Sequence, residues 1–271
     1  DVSKEAADMI LTDDNFANIV AAVEEGRSIF ANIRKFLRYL LSSNIGEVLT
    51  MFLGVVFAGA LGLMAEGGEA FIVPLAATQI LWINLLTDAA PALAVGVDPV
   101  DHGVMRRAPR RRNAPVIDRD MWISFFISGL TMALVTLAVL DMELPGGFFA
   151  VATHDMTFAR TMAFTTLVFC QLFNVFNSRS DFSSAFSHLF TNKLLWGAIA
   201  LSVLLQVAVI YVPFLNTAFD TTPIALADWG VCIAMASLVL WVEEIKKFIL
   251  RATGYAARKT GVQMQSDGFA G

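Results

Sequence analysis

The chain has 271 residues, of which 56% are hydrophobic and 16% charged, and its mean hydropathy is +0.64. Soluble domains carry about 25% charged residues, so this composition excludes a water-soluble globular fold of this size and equally a disordered chain. The formal net charge of −5 names no partner because the charges are segregated along the chain. Cys170 and Cys232 lie in apolar stretches and read as buried, inert thiols rather than a disulfide or zinc site.

Residues 1–26 are the soluble-looking stretch that precedes the apolar part. They do not begin with Met or a signal peptide, and they read as the interior of a longer protein. Met9, Ile10 and Leu11 resemble the last strand of a domain. Asp13, Asp14 and Asn15 form a helix N-cap cluster. An amphipathic pattern follows through Phe16, Ile19, Val20 and Val23, and no proline interrupts the chain from Asp14 to Val73. Two readings fit: one helix running from cytoplasm into membrane with a weak point at Gly26, or a surface helix followed by a separate span.

A bilayer crossing needs about 20 mostly apolar residues. Six stretches meet that length: 36–58, 74–95, 121–140, 161–176, 194–214 and 228–249. Trp122, Trp196, Trp229 and Trp241 sit near their ends, where an amphipathic ring suits the interface. Lys and Arg fall on one side. Arg27, Arg34, Lys35 and Arg38 precede the first span; Arg106, Arg107, Arg110, Arg111, Arg112 and Arg119 lie between the second and third. Arg179 and Lys193, then Lys246, Lys247, Arg251, Arg258 and Lys259, follow on the same side. The alternate loops carry Glu66, Glu69, Asp141, Glu143, Asp155 and Asp220, with Arg160 as the exception. The positive-inside rule puts both termini in the cytoplasm. The arginine cluster reads as a topogenic anchor, and no nucleic-acid partner is expected. His102, His154 and His188 read as solvated loop residues without a role.

Polar groups inside the spans are the informative residues. A charge at the bilayer centre costs about 2.5–3.5 kcal/mol on insertion scales. In the first span Asn44 and Glu47 are three apart and are expected on one helix face. In the second, Asn84, Thr87 and Asp88 have the same relation. The two spans are antiparallel, so these faces can meet at similar depth. Their oxygens suit a hard cation such as Ca²⁺, which takes 6–8 oxygen ligands; without His or Cys they do not suit zinc or copper. Pro91 removes a backbone hydrogen bond, so nearby carbonyls are expected to face the ion. Gln171 in the fourth span is a further oxygen donor, with Asn174 and Asn177 at spacings of three. The competing reading is that these groups, Ser42 and Ser43 included, hydrogen-bond helices to one another. Two carboxylates facing each other repel unless a cation or a proton lies between them, so a proton relay also fits.

The residues from Asp1 through Phe16, with Ala7, Asp8, Met9, Thr12 and Asp13 among them, resemble the end of the phosphorylation domain of P-type cation pumps. Val23, Glu24, Glu25, Gly26 and Arg27, then Ser42 through Glu47, are similar to the stalk and fifth transmembrane helix of the type II subfamily. Trp82 through Asp88 resembles its sixth helix. The loop from Asp98 to Pro115, with Met105, Arg106, Arg107, Ala108, Pro109 and Arg110, matches as well. The likeness covers the whole chain and is most specific before Pro115.

The resemblance implies an all-α membrane protein: a six-helix bundle with a short cytoplasmic remnant of an α/β phosphorylation domain at its N-terminus. Its parts are the phosphorylation-domain end and stalk over 1–27, the cation-transport domain over 28–252, and a mobile cytoplasmic tail over 253–271. Asn44, Glu47, Asn84, Thr87 and Asp88 match ion-ligand positions of the reticulum calcium pump. Gln171 matches a Glu of that pump that is Gln in plasma-membrane calcium pumps. Both one and two ions per cycle fit this mixture. The implied activity is ATP-driven export of a cation, Ca²⁺ first, across a cell membrane. ATP and Mg²⁺ would be used by the intact pump, and the partners would be the lipid bilayer, the cation and the remaining N-terminal part. The chain holds no Asp-Lys-Thr-Gly-Thr phosphorylation motif and is not expected to hydrolyse ATP alone; a truncated pump is expected over a natural remnant. The alternatives are an ion channel, a secondary cation or proton carrier, or an inactive remnant.

Overall fold

A run without proline, mostly apolar in its second half, forms one helix. α1, Ala17–Val56, has 40 residues and is about 60 Å long at 1.5 Å per residue. Of the two readings of this region the continuous helix is the observed one, and Gly26 does not break it. The computed structural model describes residues 5–7, 9–12, 15–63, 72–99, 104–106, 115–144, 147–149, 151, 154–180, 182–187 and 189–255. At the start of α1 the Asn15 Oδ1 accepts the Ala17 N–H at 3.0 Å; Asp13 and Asp14 of the expected cap cluster lie outside the described residues, as do His102, His188, most of the arginine loop and the tail from 256. Among the described residues the chain is helical with no strand. Met9, Ile10 and Leu11 are not a strand, and Met9 and Ile10 are exposed; a strand is stable only beside a partner.

The second expected span is not one α-helix. It consists of α2, Ala77–Trp82, a π-helical turn, Ile83–Thr87, and α3, Ala89–Gly96. Pro91 explains part of this, since it has no N–H to give the carbonyl one turn back. The third and fourth spans are α4, Arg119–Glu143, and α5, Met156–Ser178. Each is capped by an aspartate: Asp118 accepts from the Met121 N–H and Asp155 from the Phe158 N–H. α6, Lys193–Tyr211, stops short of the expected end at 214 because Pro213 opens a new short helix, α7, Pro213–Phe219. The last span is divided into α8, Leu226–Ala236, and α9, Leu238–Ala252. At the junction the Ser237 hydroxyl donates to the Ala234 carbonyl at 2.7 Å, a back-bond that bends helices. In all, five helices among the described residues are long and apolar enough to cross a bilayer, with 226–252 taken as one; the expected span 74–95, interrupted at its π turn, is not among them. Phe52, Leu81, Leu93, Leu134, Leu204 and Phe248 are exposed, as the outer surface of a lipid-embedded bundle must be.

The bundle is built on α1. Its second half packs along α4, which packs on α5, while α3 lies between α1 and α6. The α1–α4 crossing is close because two glycines meet there. A Cβ on Gly129 would stand 2.6 Å from the Ile45 Cγ2 and 3.0 Å from the Gly46 backbone nitrogen. Backbone cannot step aside as a rotamer can, so Gly129→Ala is expected to destabilise the bundle by about 1–3 kcal/mol. A lowered thermal unfolding temperature in detergent would register it. Gly26→Ala, with nothing within 4 Å of the added atom, is expected to move the other way by up to about 1 kcal/mol.

Charged residues at the two ends are tied down locally. Arg160, the one cation on the acidic side, bonds to the Asp220 carboxylate at 2.5 Å. His154 is not simply solvated: its Nδ1 lies 2.9 Å from the Glu143 Oε2. At the basic end Asp98 is a buried hub. Its carboxylate accepts from Lys35 at 2.8 Å, from Arg179 at 3.1 and 3.2 Å, and from Asn192 at 2.9 Å. Its carbonyl accepts from Asn32 at 2.7 Å. Four separate parts of the chain meet on this one residue.

Candidate cation site

α1 presents Tyr39, Ser43 and Glu47 at four-residue intervals on its inner face, and all three are buried. The Glu47 carboxylate is held by two amides from other segments. The Asn84 Nδ2 donates to its Oε2 at 2.5 Å, and the Gln171 Nε2 donates to its Oε1 at 2.8 Å. Glu47, Asn84 and Gln171, singled out from the sequence, thus come together across α1, the π turn and α5. Asp88 stands one turn beyond Asn84. It is 1% exposed, and its Oδ1 accepts the Tyr39 hydroxyl at 2.8 Å. Its other oxygen, Oδ2, is buried with no hydrogen-bond partner among the described residues, and the same holds for the Gln171 Oε1. Two buried acceptor oxygens without donors are costly.

The π turn is what places Asp88. Its N–H bonds to the Ile83 carbonyl at 3.0 Å, five residues back rather than four, which inserts one residue into the helix. Thr87 is buried there, but its hydroxyl donates to the Ile83 carbonyl at 3.1 Å and so is turned into its own helix. The Thr87 carbonyl, freed by Pro91, was expected to face the ion. Instead it accepts the Ser202 hydroxyl from α6 at 2.8 Å. A carbonyl left open in an apolar surround takes the nearest donor.

Asn44 departs most from expectation. It is exposed, and its Nδ2 donates to the Leu40 carbonyl at 2.8 Å, with no bond to Glu47. At 3.6 residues per turn, positions three apart differ by about 60° around the helix, and the edge of the packed face falls between these two. Asn174 and Asn177 fulfil the helix-joining reading. The Asn174 Nδ2 donates to the Ser42 hydroxyl at 2.6 Å and the Asn177 Nδ2 to the Val239 carbonyl at 3.2 Å.

Two participants escaped the sequence reading. Tyr39 had a signal, being eight residues from Glu47 and therefore on the same face. Ser202 had none, because nothing in α6 marks which of its hydroxyls meets the proline-freed carbonyl. Among the described residues no three His, Cys, Asp or Glu side chains cluster as a metal group, so the constellation is two carboxylates completed by amide and hydroxyl oxygens. That donor set fits a hard cation and offers no soft ligand.

This is a multi-pass helical membrane protein with two buried carboxylates, Glu47 and Asp88, the latter next to a π-helical turn, and ionisable groups within such segments mark ion-handling sites by default. The family follows from sequence: residues 72–249 match the model described as "Cation transporting ATPase, C-terminus", and the chain belongs to that family. Among its relatives are Calcium-transporting ATPase 1 of Schizosaccharomyces pombe, 38% identical over 98% of this chain and 28% of the relative, and Calcium-transporting ATPase of Bacillus subtilis, 39% identical over 88% and 25%. The Endoplasmic reticulum calcium ATPase srcA of Aspergillus fumigatus is 37% identical over 93% and 27%. The chain spans roughly a quarter of the length of these relatives and aligns with the C-terminal membrane part of P-type ATPases.

Proposed function

We propose that this chain is the ion-carrying membrane part of an ATP-driven pump that moves Ca²⁺ out of the cytoplasm. The observation that carries this reading is the pair of buried carboxylates, Glu47 and Asp88, on segments joined by the Asn84–Glu47 bond, with the Asp88 Oδ2 and the Gln171 Oε1 left without partners. A cation there would take up both open oxygens. Rotating the Asn84 and Gln171 amides would exchange donated N–H groups for carbonyl oxygens and raise the oxygen count toward the 6–8 that Ca²⁺ takes. Thr87 and Asn44 complete the proposed ligand set, each after its side chain turns from its present carbonyl. The calcium-transporting names of the relatives support Ca²⁺ over other hard cations.

ATP, Mg²⁺ and the phosphorylated aspartate belong, in this proposal, to the remainder of the intact pump. α1 is the coupling rod: about 60 Å of continuous helix carries a displacement from its exposed first turns to Glu47. Both termini are assigned to the cytoplasm by the Lys and Arg distribution. Protonation of Asp88 would remove its buried charge, and this favours a proton as the competing ion. The deciding measurement is phosphoenzyme formation from ATP by the full-length protein, titrated with Ca²⁺, Mn²⁺, Na⁺ and H⁺ separately. Saturable stimulation by micromolar Ca²⁺ is expected. Phosphorylation indifferent to Ca²⁺ but following pH would transfer the assignment to the proton.

A further inference from the structure

The peptide unit between Thr87 and Asp88 lies where its segment loses helical hydrogen bonding. Its carbonyl oxygen would ordinarily accept from the N–H four residues on, but that residue is Pro91. The next N–H, of Ala92, is bonded to the Asp88 carbonyl at 3.0 Å. The donor comes from another helix instead: the Ser202 hydroxyl of α6 bonds to the Thr87 carbonyl at 2.8 Å. The opposite edge of the same peptide is also fixed, because the Asp88 N–H donates to the Ile83 carbonyl at 3.0 Å. Ser202 is 0% exposed, and Thr87 and Asp88 are 1%, so bulk water does not stand ready to replace a lost bond. α6 is itself fastened to the same segment at a second point. At its start the Asn192 Nδ2 donates to the Ala94 carbonyl at 2.8 Å, about two turns beyond Thr87.

We propose that Ser202 is a positioning residue for Asp88: by holding the Thr87 carbonyl it fixes the plane of the peptide that enters Asp88, and so the direction in which the carboxylate points. The inference rests on the reading of Glu47 and Asp88 as the cation site. A peptide pinned at both its oxygen and its N–H cannot turn without breaking a bond. Turning it would change ψ of Thr87 and φ of Asp88 together. Asp88 has φ −90° and ψ −32°, away from the helical φ of about −63°, so a released peptide has room to relax toward that value. The relaxation would swing the Asp88 side chain, whose Oδ1 accepts the Tyr39 hydroxyl at 2.8 Å while Oδ2 has no partner among the described residues. A binding constellation works only when its groups are held to within about 0.5 Å of the productive geometry. Ser202 acts through the backbone, and contact with the ion is not required of it.

The test is phosphoenzyme formation from ATP by the full-length protein, titrated with Ca²⁺. The parent, Ser202→Ala and Ser202→Cys are compared, each alone and combined with Pro91→Ala. Ser202→Ala is expected to raise the half-activating Ca²⁺ about tenfold, equivalent to about 1.4 kcal/mol, with phosphorylation from inorganic phosphate kept at the parent level. Ser202→Cys keeps the size and offers a weak S–H donor. It should fall between parent and Ser202→Ala, and it decides the matter if Ser202→Ala does not fold. Pro91→Ala restores an N–H four residues beyond Thr87. In that background Ser202→Ala should shift half-activation by no more than about twofold, the coupling expected of two donors that serve one carbonyl. Parent-like half-activation in Ser202→Ala, or an equal shift with and without Pro91→Ala, would overturn the proposal. So would a fall of phosphorylation from ATP and from inorganic phosphate together in both the Ala and Cys variants, which would restrict Ser202 to a structural role. A parent that does not respond to Ca²⁺ would instead remove the Ca²⁺ reading, and the same series titrated with the ion that does stimulate it would then decide on Ser202.

Discussion

Asp88→Asn in the intact pump is expected to abolish calcium-stimulated phosphorylation, and Glu47→Gln to weaken calcium activation by at least about 100-fold, or about 2.7 kcal/mol. Both substitutions keep size and shape, so the effect isolates charge. An asparagine at position 88 can still accept the Tyr39 hydroxyl through its own carbonyl oxygen, as Asp88 Oδ1 does at 2.8 Å. What it cannot supply is the negative charge beside the open Oδ2 position, where a buried site with few charges has no substitute. Glu47 differs because two amides already hold it, Asn84 at 2.5 Å and Gln171 at 2.8 Å. A glutamine there keeps one acceptor and faces one amide with its own N–H groups, so local packing survives better than affinity. Phosphoenzyme assays at rising Ca²⁺, with phosphorylation from inorganic phosphate as the check on folding, measure both. Parent-like calcium activation in Asp88→Asn would remove the carboxylate from the site. Loss of phosphorylation from inorganic phosphate as well would mean that the substitution disrupts the protein and not the site alone.

The parts of this architecture that depend on local pattern were readable in the residues. Uninterrupted apolar length predicts the five long apolar helices, and the proline-free run from Asp14 allows a helix as long as α1 without choosing it over a surface helix followed by a separate span. The expensive groups Glu47, Asp88 and Gln171 were marked by their chemistry alone, since each had to be buried in an apolar segment. Features set by tertiary contact were hidden. The π turn at Ile83–Thr87 leaves no signature in residue types, and Pro91 announces a missing hydrogen bond without naming Ser202 as its replacement. Asn44 illustrates the limit of spacing arguments: a three-residue interval places two side chains near each other on a helix, but the boundary between packed and open surface can pass between them. The split at Ser237 and the early end of α6 before Pro213 follow from particular residues whose weight against a strong apolar run is settled only by packing.

Asp98→Ala is expected to cost about 3–5 kcal/mol of stability, the scale for removing one partner of a buried ion pair. The residue is 5% exposed, and Lys35 beside it 6%, so the substitution would strand the Lys35 ammonium and take the Asp98 carboxylate from Arg179, which also donates to the Thr191 hydroxyl at 2.8 Å. It would also release the Asn192 amide, which bridges Asp98 and the Ala94 carbonyl at 2.8 Å. Asp98 lies beyond the membrane-crossing part of its segment. Burial alone would raise its carboxyl, but the hydrogen bond and charge of Lys35, followed by those of Arg179, more than offset this and hold it below the usual carboxylate range. A carboxyl lowered in the folded state stabilises fully above its unfolded value, about 4, and its contribution fades as pH falls through the lower folded value. Unfolding temperature followed from pH 7 downward should therefore drop in the parent below about pH 4 more steeply than in Asp98→Asn, whose side chain has no proton to gain. Because Asp98 ties Asn32 and Lys35 of α1 to α3, to the end of α5 and to the start of α6, the same substitution should loosen the rod from the bundle. In the full-length protein that would appear as ATP hydrolysis retained with less Ca²⁺ moved per turnover; transport and hydrolysis falling in equal proportion would restrict the hub to a structural role.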